Sequence, residues 1–300
     1  MTILLTGANG LIGRKIIEYF SRINKIRLIA TSKGEQRFRL PRGFIYESFN
    51  ITDKKRGFEL FRQYKPEIII NSAAITQADE CELNEEKCRS VNVEAVQTLV
   101  DLSNEFKSFF LQLSTDFVFN GNHGPYREED LPDPVSIYGL SKWDAEKFVL
   151  KSPGEKAIAR TILVYGYIES ASRKNLVTWV IDSLTNGKVI KVVSDQIRTP
   201  TLAEDVASGC CSIALQKHHG LFHIAGKDTL SPYEMAVRTA RFFKLDESLI
   251  EKVTTSYFPQ PAKRPMVTGL VINKAMKILK FKPHSFEEGL GVIKQQLNLI

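Results

Sequence analysis

The sequence predicts an α/β protein: a doubly wound parallel sheet with a smaller C-terminal lobe. Three observations carry this reading. Short apolar runs alternate with segments of helical period through residues 1–166, a glycine-rich turn joins the first run to the first helix, and beyond Gly166 the rhythm loosens. Right-handed crossovers are the default for such a chain.

The first run, Ile3-Leu4-Leu5, reads as a strand and is followed at once by Thr6-Gly7-Ala8-Asn9-Gly10-Leu11-Ile12-Gly13 and an amphipathic helix to about Ser21. Gly7 permits a tight turn, Gly10 lets the backbone approach a phosphate, and Gly13 lets the helix pack close to the strand. A pyrophosphate then sits against the helix N-terminus, where unpaired N–H groups and the dipole favour negative charge. The Gly-x-x-Gly-x-x-Gly spacing differs from the commoner Gly-x-Gly-x-x-Gly of Rossmann-type folds, but its place between strand and helix predicts a dinucleotide site.

Residues 27–31 form the second expected strand, at whose end a dinucleotide fold often places an acid for the adenosine ribose. Here the chain reads Thr31-Ser32-Lys33, with Arg37 nearby. With no carboxylate to repel a ribose phosphate, NADPH is favoured over NADH. Residues 44–49 are the third strand, and Asn50-Ile51-Thr52-Asp53 leads into a helix over 54–64. Residues 67–71 are the fourth, and Ser72-Ala73-Ala74 supplies small side chains over which a flat cofactor lies close to the backbone. The expected cofactor contacts are Gly7, Asn9, Gly10, Leu11, Ile12, Gly13, Ser32, Lys33, Asn50, Ile51, Ala73 and Ala74, with Tyr138 and Lys142 from further along the chain.

One long helix is expected over 82–105, with Asn92 placed to face solvent or to anchor a water or a backbone carbonyl. The fifth strand, Phe109-Phe110-Leu111-Gln112-Leu113, delivers Ser114, Thr115 and Asp116 to its carboxyl end, the edge where open α/β sheets bind ligands. After a Gly-, Pro- and Asn-rich loop, residues 137–150 have helical period with Tyr138 and Lys142 on one stripe. A phenol titrates near ~10, and an ammonium held close lowers that value, so Lys142 is expected to tune Tyr138. Thr115 would hold a substrate carbonyl oxygen while Tyr138 gives or takes a proton.

A sixth strand is expected over 157–164, ending in Tyr165-Gly166. The core is thus assigned to residues 1–166, and 167–300 to a mainly substrate-binding lobe interleaved with it. In that second part a helix is expected over 175–186, a strand over 189–193, a polar loop over 194–201, a helix over 202–216 and a strand over 221–225. Ser231-Pro232-Tyr233-Glu234 and Ser285 with Glu288 have capping-box spacing.

Composition narrows the function classes. Hydrophobic residues make up 43% and charged residues 25%, as in an ordinary globular protein, and the net charge of +7 is spread along the chain without a polybasic tail. That balance suits small anionic ligands rather than nucleic acid. Cys81, Cys88, Cys210 and Cys211 lack metal-ligand spacing and a disulfide framework. No metal and no membrane segment is expected, and the opening strand leaves no room for a signal peptide, so the cytoplasm is the expected compartment.

Taken together and in order, Gly7-x-x-Gly10-x-x-Gly13, Asn71-Ser-Ala-Ala74, Ser114-Thr115-Asp116 and Tyr138-x-x-x-Lys142 make the chain resemble the extended short-chain dehydrogenase/reductase superfamily. Ser-Thr-Asp-Phe-Val-Phe-Asn-Gly (114–121), Pro-Tyr-Arg-Glu-Glu-Asp (125–130), Glu146 and Asp195-Gln-x-x-x-Pro200-Thr look, within it, like the dTDP-4-dehydrorhamnose reductase family. The resemblance implies hydride transfer from a reduced nicotinamide cofactor to the C4 keto group of a nucleotide-linked deoxysugar. It makes Tyr138 the proton donor, Lys142 the holder of the nicotinamide ribose and Thr115 the ligand of the keto oxygen. Thr76, Gln77, Asp116 and Phe117 would border the sugar, and Arg198 and Arg264 would meet the nucleotide phosphates.

Departures keep alternatives open. Leu11-Ile12 replaces the Gln-Leu more usual in that family, which points to a relative acting on another sugar nucleotide. Dehydratases of the superfamily carry Asp-Glu after the Thr, and Phe117 occupies the Glu position. Epimerase-reductases need further Cys and His groups with no match here. Some relatives are non-catalytic nucleotide-binding subunits, against which an intact Thr115, Tyr138 and Lys142 speaks. The sugar and the oligomeric state, a homodimer included, are left open.

Overall fold

The computed structural model of the protein describes residues 1–169 and 173–297, so residues 170–172 and 298–300 of the expected lobe lie outside the described chain. β1 (Thr2–Thr6) passes through the glycine turn into α1 (Leu11–Phe20); β2 (Arg27–Ser32) and β3 (Ile45–Ser48) follow, and α2 (Lys54–Tyr64) returns the chain to β4 (Ile68–Asn71). α3 (Ala78–Leu83), α4 (Glu85–Arg89) and α5 (Ala95–Glu105) lead to β5 (Phe109–Thr115), and α6 (Ile137–Lys151) to β6 (Lys156–Thr161). The remainder holds β7 (Val164–Tyr165), α7 (Leu176–Thr185), β8 (Ile190–Val193), β9 (Thr201–Leu202), α8 (Ala203–Leu215), β10 (Gly220–His223), α9 (Pro232–Phe243), β11 (Ile250–Val253), α10 (Asn273–Ile278) and α11 (Phe286–Gln296).

The central sheet is parallel, with strand order β10-β6-β5-β4-β1-β2-β3. Its order reverses between β1 and β4, which opens a crevice at the carboxyl edge there. Strand residues alternate between two cores because successive side chains point to opposite faces. Ile3, Leu5, Ile68, Ile70, Phe109 and Leu111 pack with α1 and α8, whereas Leu4, Ile69, Phe110 and Ile158 pack with α2, α5 and α6. Burial on both faces explains why these strands read as continuous apolar runs. Two further apolar clusters lie away from the central sheet, one joining α7, α9 and α11 through Val177, Met235 and Leu290, the other covering the small β8–β11 sheet through Val180, Val192 and Ile250.

Three expectations needed revision. The single helix over 82–105 is broken: Asn84, with φ −146°, caps α4 by accepting Lys87 N–H, and residues 90–94 form a wider π turn before α5. The sixth strand stops at Thr161, because Leu163 takes a left-handed φ of +39° and turns Val164–Tyr165 away to pair with β9. The strand expected over 221–225 is observed as β10 and is a seventh strand of the central sheet, paired with β6, so the C-terminal half of the chain completes the sheet. Both capping boxes are present, at Ser231–Glu234 and Ser285–Glu288. The four cysteines are free and buried.

Candidate active site

A cleft of about 1760 Å³ runs along the carboxyl edge of the sheet and continues against the lobe. Its floor begins at the glycine turn. Gly7 has φ +75°, and a Cβ there would meet Ser72 Oγ at 2.7 Å; a Cβ on Gly13 would lie 2.3 Å from the Gly7 carbonyl oxygen. Only glycine fits either position. Gly10 is exposed, α1 has no side-chain cap, and no acid stands in its first turn, so the first N–H groups of the helix face the cleft. This cradle fits a dinucleotide pyrophosphate.

Gly7, Asn9, Gly10, Leu11, Ile12, Gly13, Ser32, Lys33, Asn50, Ile51, Ala73 and Ala74 all line the cleft, with Thr76, Thr115, Asp116, Phe117, Tyr138, Lys142 and Arg198. Gln77 and Arg264 do not. Gln77 stands at the N-terminus of α3, and Arg264 is bound to Asp79 at 2.6 Å beside a separate small pocket. Arg198 borders the cleft, but its guanidinium is buried and donates to the carbonyls of Ile197, Pro265 and Met266 and to Gln196 Oε1. It braces the 265–268 loop, so neither arginine is presented to a nucleotide phosphate.

At the inner end, β5 and α6 bring together the residues on which chemistry depends. Ser136 caps α6 by accepting Gly139 N–H, and the Glu82 carboxylate accepts Ile137 N–H at 3.0 Å. Gly139 lets the first turn of this helix lie on the end of β5, since a Cβ there would sit 2.1 Å from the Phe117 carbonyl oxygen. Tyr138 is thereby held in the cleft with its ring edge-on to Phe117 at 5.4 Å. Further along α6, the buried Glu146 takes Arg160 Nε and Nη2 at 2.9 and 2.6 Å, fastening the helix to β6.

The electrostatics differ from the expected pairing. Burial raises the Tyr138 phenol well above its usual range, with a Thr115 hydrogen bond as a partial offset. Lys142 is pushed down to about 8 by burial, and its Nζ donates to the Leu113 carbonyl at 2.7 Å. The lysine thus does not acidify the tyrosine, and the phenol stays protonated at neutral pH. Asp116 is buried and raised by desolvation, with Arg198 pulling the other way; its carboxylate takes Thr115 Oγ1 at 3.2 Å and Thr268 Oγ1 at 2.6 Å.

Sequence reasoning missed two groups. Ser114 Oγ and Thr161 Oγ1 are buried, line the cleft at the ends of adjacent strands and have no partner within the described residues. Buried hydroxyls are ordinarily hydrogen-bonded, so these two are exceptions at the cleft wall. Ser114 was visible next to Thr115; Thr161 carried no signal without the β5–β6 register. Asn92 has the anchoring role considered for it: its amide donates to the Ile75 carbonyl and its Oδ1 accepts Ile75 N–H, both at 2.9 Å, which fixes the wall beside Ala74.

A doubly wound sheet, a glycine cradle at its switch point and a Thr-Tyr-Lys set at the cleft's inner end define an oxidoreductase of the extended short-chain dehydrogenase/reductase type. Within that class the chain belongs to the family described as RmlD substrate binding domain, whose model matches residues 1–298. It is 29% identical to a dTDP-4-dehydrorhamnose reductase of Aggregatibacter actinomycetemcomitans, covering 97% of this chain and 98% of that one. It is 32% identical to methionine adenosyltransferase 2 subunit beta of Rattus norvegicus over 85% of this chain and 75% of that one. Among solved structures, a dTDP-4-dehydrorhamnose reductase from Clostridium acetobutylicum superposes with a TM-score of 0.86 at 29% identity, covering 99% of this chain and 100% of that one. Another from Bacillus anthracis, in complex with NADP, gives 0.84 at 25% identity over 98% and 99%. Among the described residues no helix is long and apolar enough to cross a membrane, and no His, Cys, Asp and Glu cluster could hold a metal.

Proposed function

We propose that the protein reduces the C4 keto group of a nucleotide-linked deoxysugar in sugar-nucleotide biosynthesis, in the manner of dTDP-4-dehydrorhamnose reductase. The observation that carries this reading is the convergence of Thr115, Tyr138 and Lys142 with the unpaired Ser114 and Thr161 hydroxyls on one end of the dinucleotide cleft. A reduced nicotinamide cofactor, when bound, supplies the hydride. Tyr138 gives its phenolic proton to the keto oxygen, and its buried, protonated state suits the reducing direction. Thr115 turns its one hydroxyl hydrogen from Asp116 Oδ1 to that oxygen as negative charge develops. Lys142, which rests on the Leu113 carbonyl, would hold the ribose of the bound cofactor, and the proton taken up by Tyr138 afterwards comes from solvent. Thr76, Asp116 and Phe117 border the sugar, with Asp116 held by Thr268 and facing Arg198.

NADPH is the cofactor read from the absence of an acid after β2 and from Lys33 on the cleft wall. The working compartment is the cytoplasm, where nucleotide sugars and reduced dinucleotides are made. Residues 1–166 supply most of the cofactor site, and 167–300 most of the cover over the sugar.

The test is turnover of purified protein on a panel of nucleotide-linked 4-keto sugars with NADPH or NADH, followed by absorbance. Tyr138→Phe is expected to lower kcat by about 10² or more while dinucleotide binding persists. Equal turnover in that variant would sink the assignment. The likeness to methionine adenosyltransferase 2 subunit beta favours a second reading, a nucleotide-binding subunit. Binding of NADPH without oxidation on any sugar of the panel would select it.

A further inference from the structure

The loop after β2 carries Lys33 and Arg37, both exposed, and belongs to no helix or strand. Such a loop, left to itself, would lose conformational freedom on binding a phosphate and would bind it weakly. Here it is held from two sides. The Asn9 amide nitrogen donates to the Glu35 carbonyl at 2.9 Å and to Tyr46 Oη at 3.2 Å, and its carbonyl oxygen accepts Arg37 N–H at 3.2 Å. Tyr46, reaching across from β3, donates its hydroxyl to the Gly34 carbonyl at 2.8 Å, with the Ser32 carbonyl 3.4 Å away. Asn9 is itself part of the glycine turn, between Ala8 and Gly10. One amide therefore links the turn that takes the pyrophosphate to the loop that bears the cations.

We propose that Asn9 and Tyr46 form a brace that presets Lys33 and Arg37 for the ribose 2′-phosphate, making Tyr46 a positioning residue for dinucleotide selectivity. The inference rests on the NADPH reading given above. Neither side chain needs to touch the phosphate. Asn9 has all its amide donors and its acceptor engaged by the loop and by Tyr46, so its effect on the cofactor passes through backbone that it holds. NADH, which lacks the phosphate, gains nothing from an ordered cationic loop, so loosening the brace acts on one dinucleotide and spares the other. Tyr46→Phe removes only the hydroxyl and keeps the ring that packs against the core.

The experiment titrates the wild type, Tyr46→Phe and Asn9→Ala with NADPH and NADH, and with 2′,5′-ADP and ADP as minimal probes. Tyr46→Phe is expected to weaken NADPH and 2′,5′-ADP about 5- to 20-fold, the effect of one or two lost hydrogen bonds, and to change NADH and ADP less than about twofold. Asn9→Ala must shift the NADPH:NADH ratio in the same direction. A ratio unchanged in both variants, or equal weakening of both dinucleotides, overturns the brace. A wild type that shows no preference for NADPH overturns the cofactor reading instead, and that result is read from the unmutated protein alone.

Discussion

The ammonium of Lys142 lies 2.7 Å from the carbonyl oxygen of Leu113, and Gln112 Nε2 donates to the same oxygen, also at 2.7 Å. A carbonyl oxygen has two lone pairs, so both donors are accommodated. The lysine is thus stored on the strand that carries Thr115. When it turns to a ligand, Gln112 still satisfies Leu113, and no buried acceptor is orphaned.

This storage has a measurable cost. A lysine pushed down to about 8 by burial is charged at pH 7 in a site that disfavours charge. Its unfolded form keeps a pKa near ~10.4, so between pH 8 and 10 the unfolded chain binds more protons and stability rises with pH through this residue. Lys142→Met should abolish turnover yet stabilise the ligand-free fold at pH 7 by up to roughly 3 kcal/mol. The advantage should shrink toward pH 9.5, where the wild-type lysine is neutral. Urea denaturation of both proteins at the two pH values checks it.

Thr115 can be separated from its neighbours by a paired substitution. Its hydroxyl also receives Phe117 N–H at 3.3 Å, so complete removal disturbs the turn as well. Thr115→Ser should retain most activity, whereas Thr115→Val should cost about 10²-fold in kcat with cofactor affinity unchanged, as loss of an oxyanion donor does. Steady-state kinetics with a cofactor titration reads both.

Gly139→Ala tests the contact that seats Tyr138. The new methyl would meet the Phe117 carbonyl oxygen at 2.1 Å, so helix and strand end must separate. A loss of about 3 kcal/mol is expected, at the upper end for overpacking, with activity falling further than stability explains. Gly187→Ala is the control: its φ is +65° but nothing lies within 4 Å, so about 1 kcal/mol and full activity are expected. Thermal melts and kcat for the two variants decide it.

Arg198→Met should act through Asp116. The arginine is the cation facing that buried carboxylate, 3.9 Å away, and removing it leaves an uncompensated charge, at a cost of about 3–5 kcal/mol. Asp116 is already raised by burial, so the deficit should narrow as the pH falls and the carboxyl takes up a proton. Arg264→Gln, outside the cleft, should leave the substrate KM within about threefold. Denaturation at pH 5 and pH 8 reads the first variant, and kinetics read the second.

The strands, the glycine cradle and the Tyr138–Lys142 helix were legible because each is a local pattern: a short continuous apolar run, a spaced glycine set, a polar pair one helical turn apart. What was not legible depends on partners distant in the chain. Arg198 and Arg264 were assigned to the nucleotide phosphates by the family resemblance; only the fold brings Pro265 and Met266 to one and Asp79 to the other. Within the expected helix over 82–105, the wider turn at 90–94 holds Asn92 against Ile75, a contact 17 residues away. The expected tuning of Tyr138 treated two side chains in isolation, whereas burial outweighs their proximity and Leu113 competes for the lysine.

Because β10 closes the sheet beside β6, a nascent chain released as far as Gly166 would expose a raw strand edge and the uncovered side of Phe109 and Ala157. The nucleotide half cannot be finished until residue 223 has left the ribosome, some tens of residues later. A truncation at 166 should therefore aggregate on synthesis, and any attempt to graft this lobe onto another scaffold has to carry one strand of its host with it.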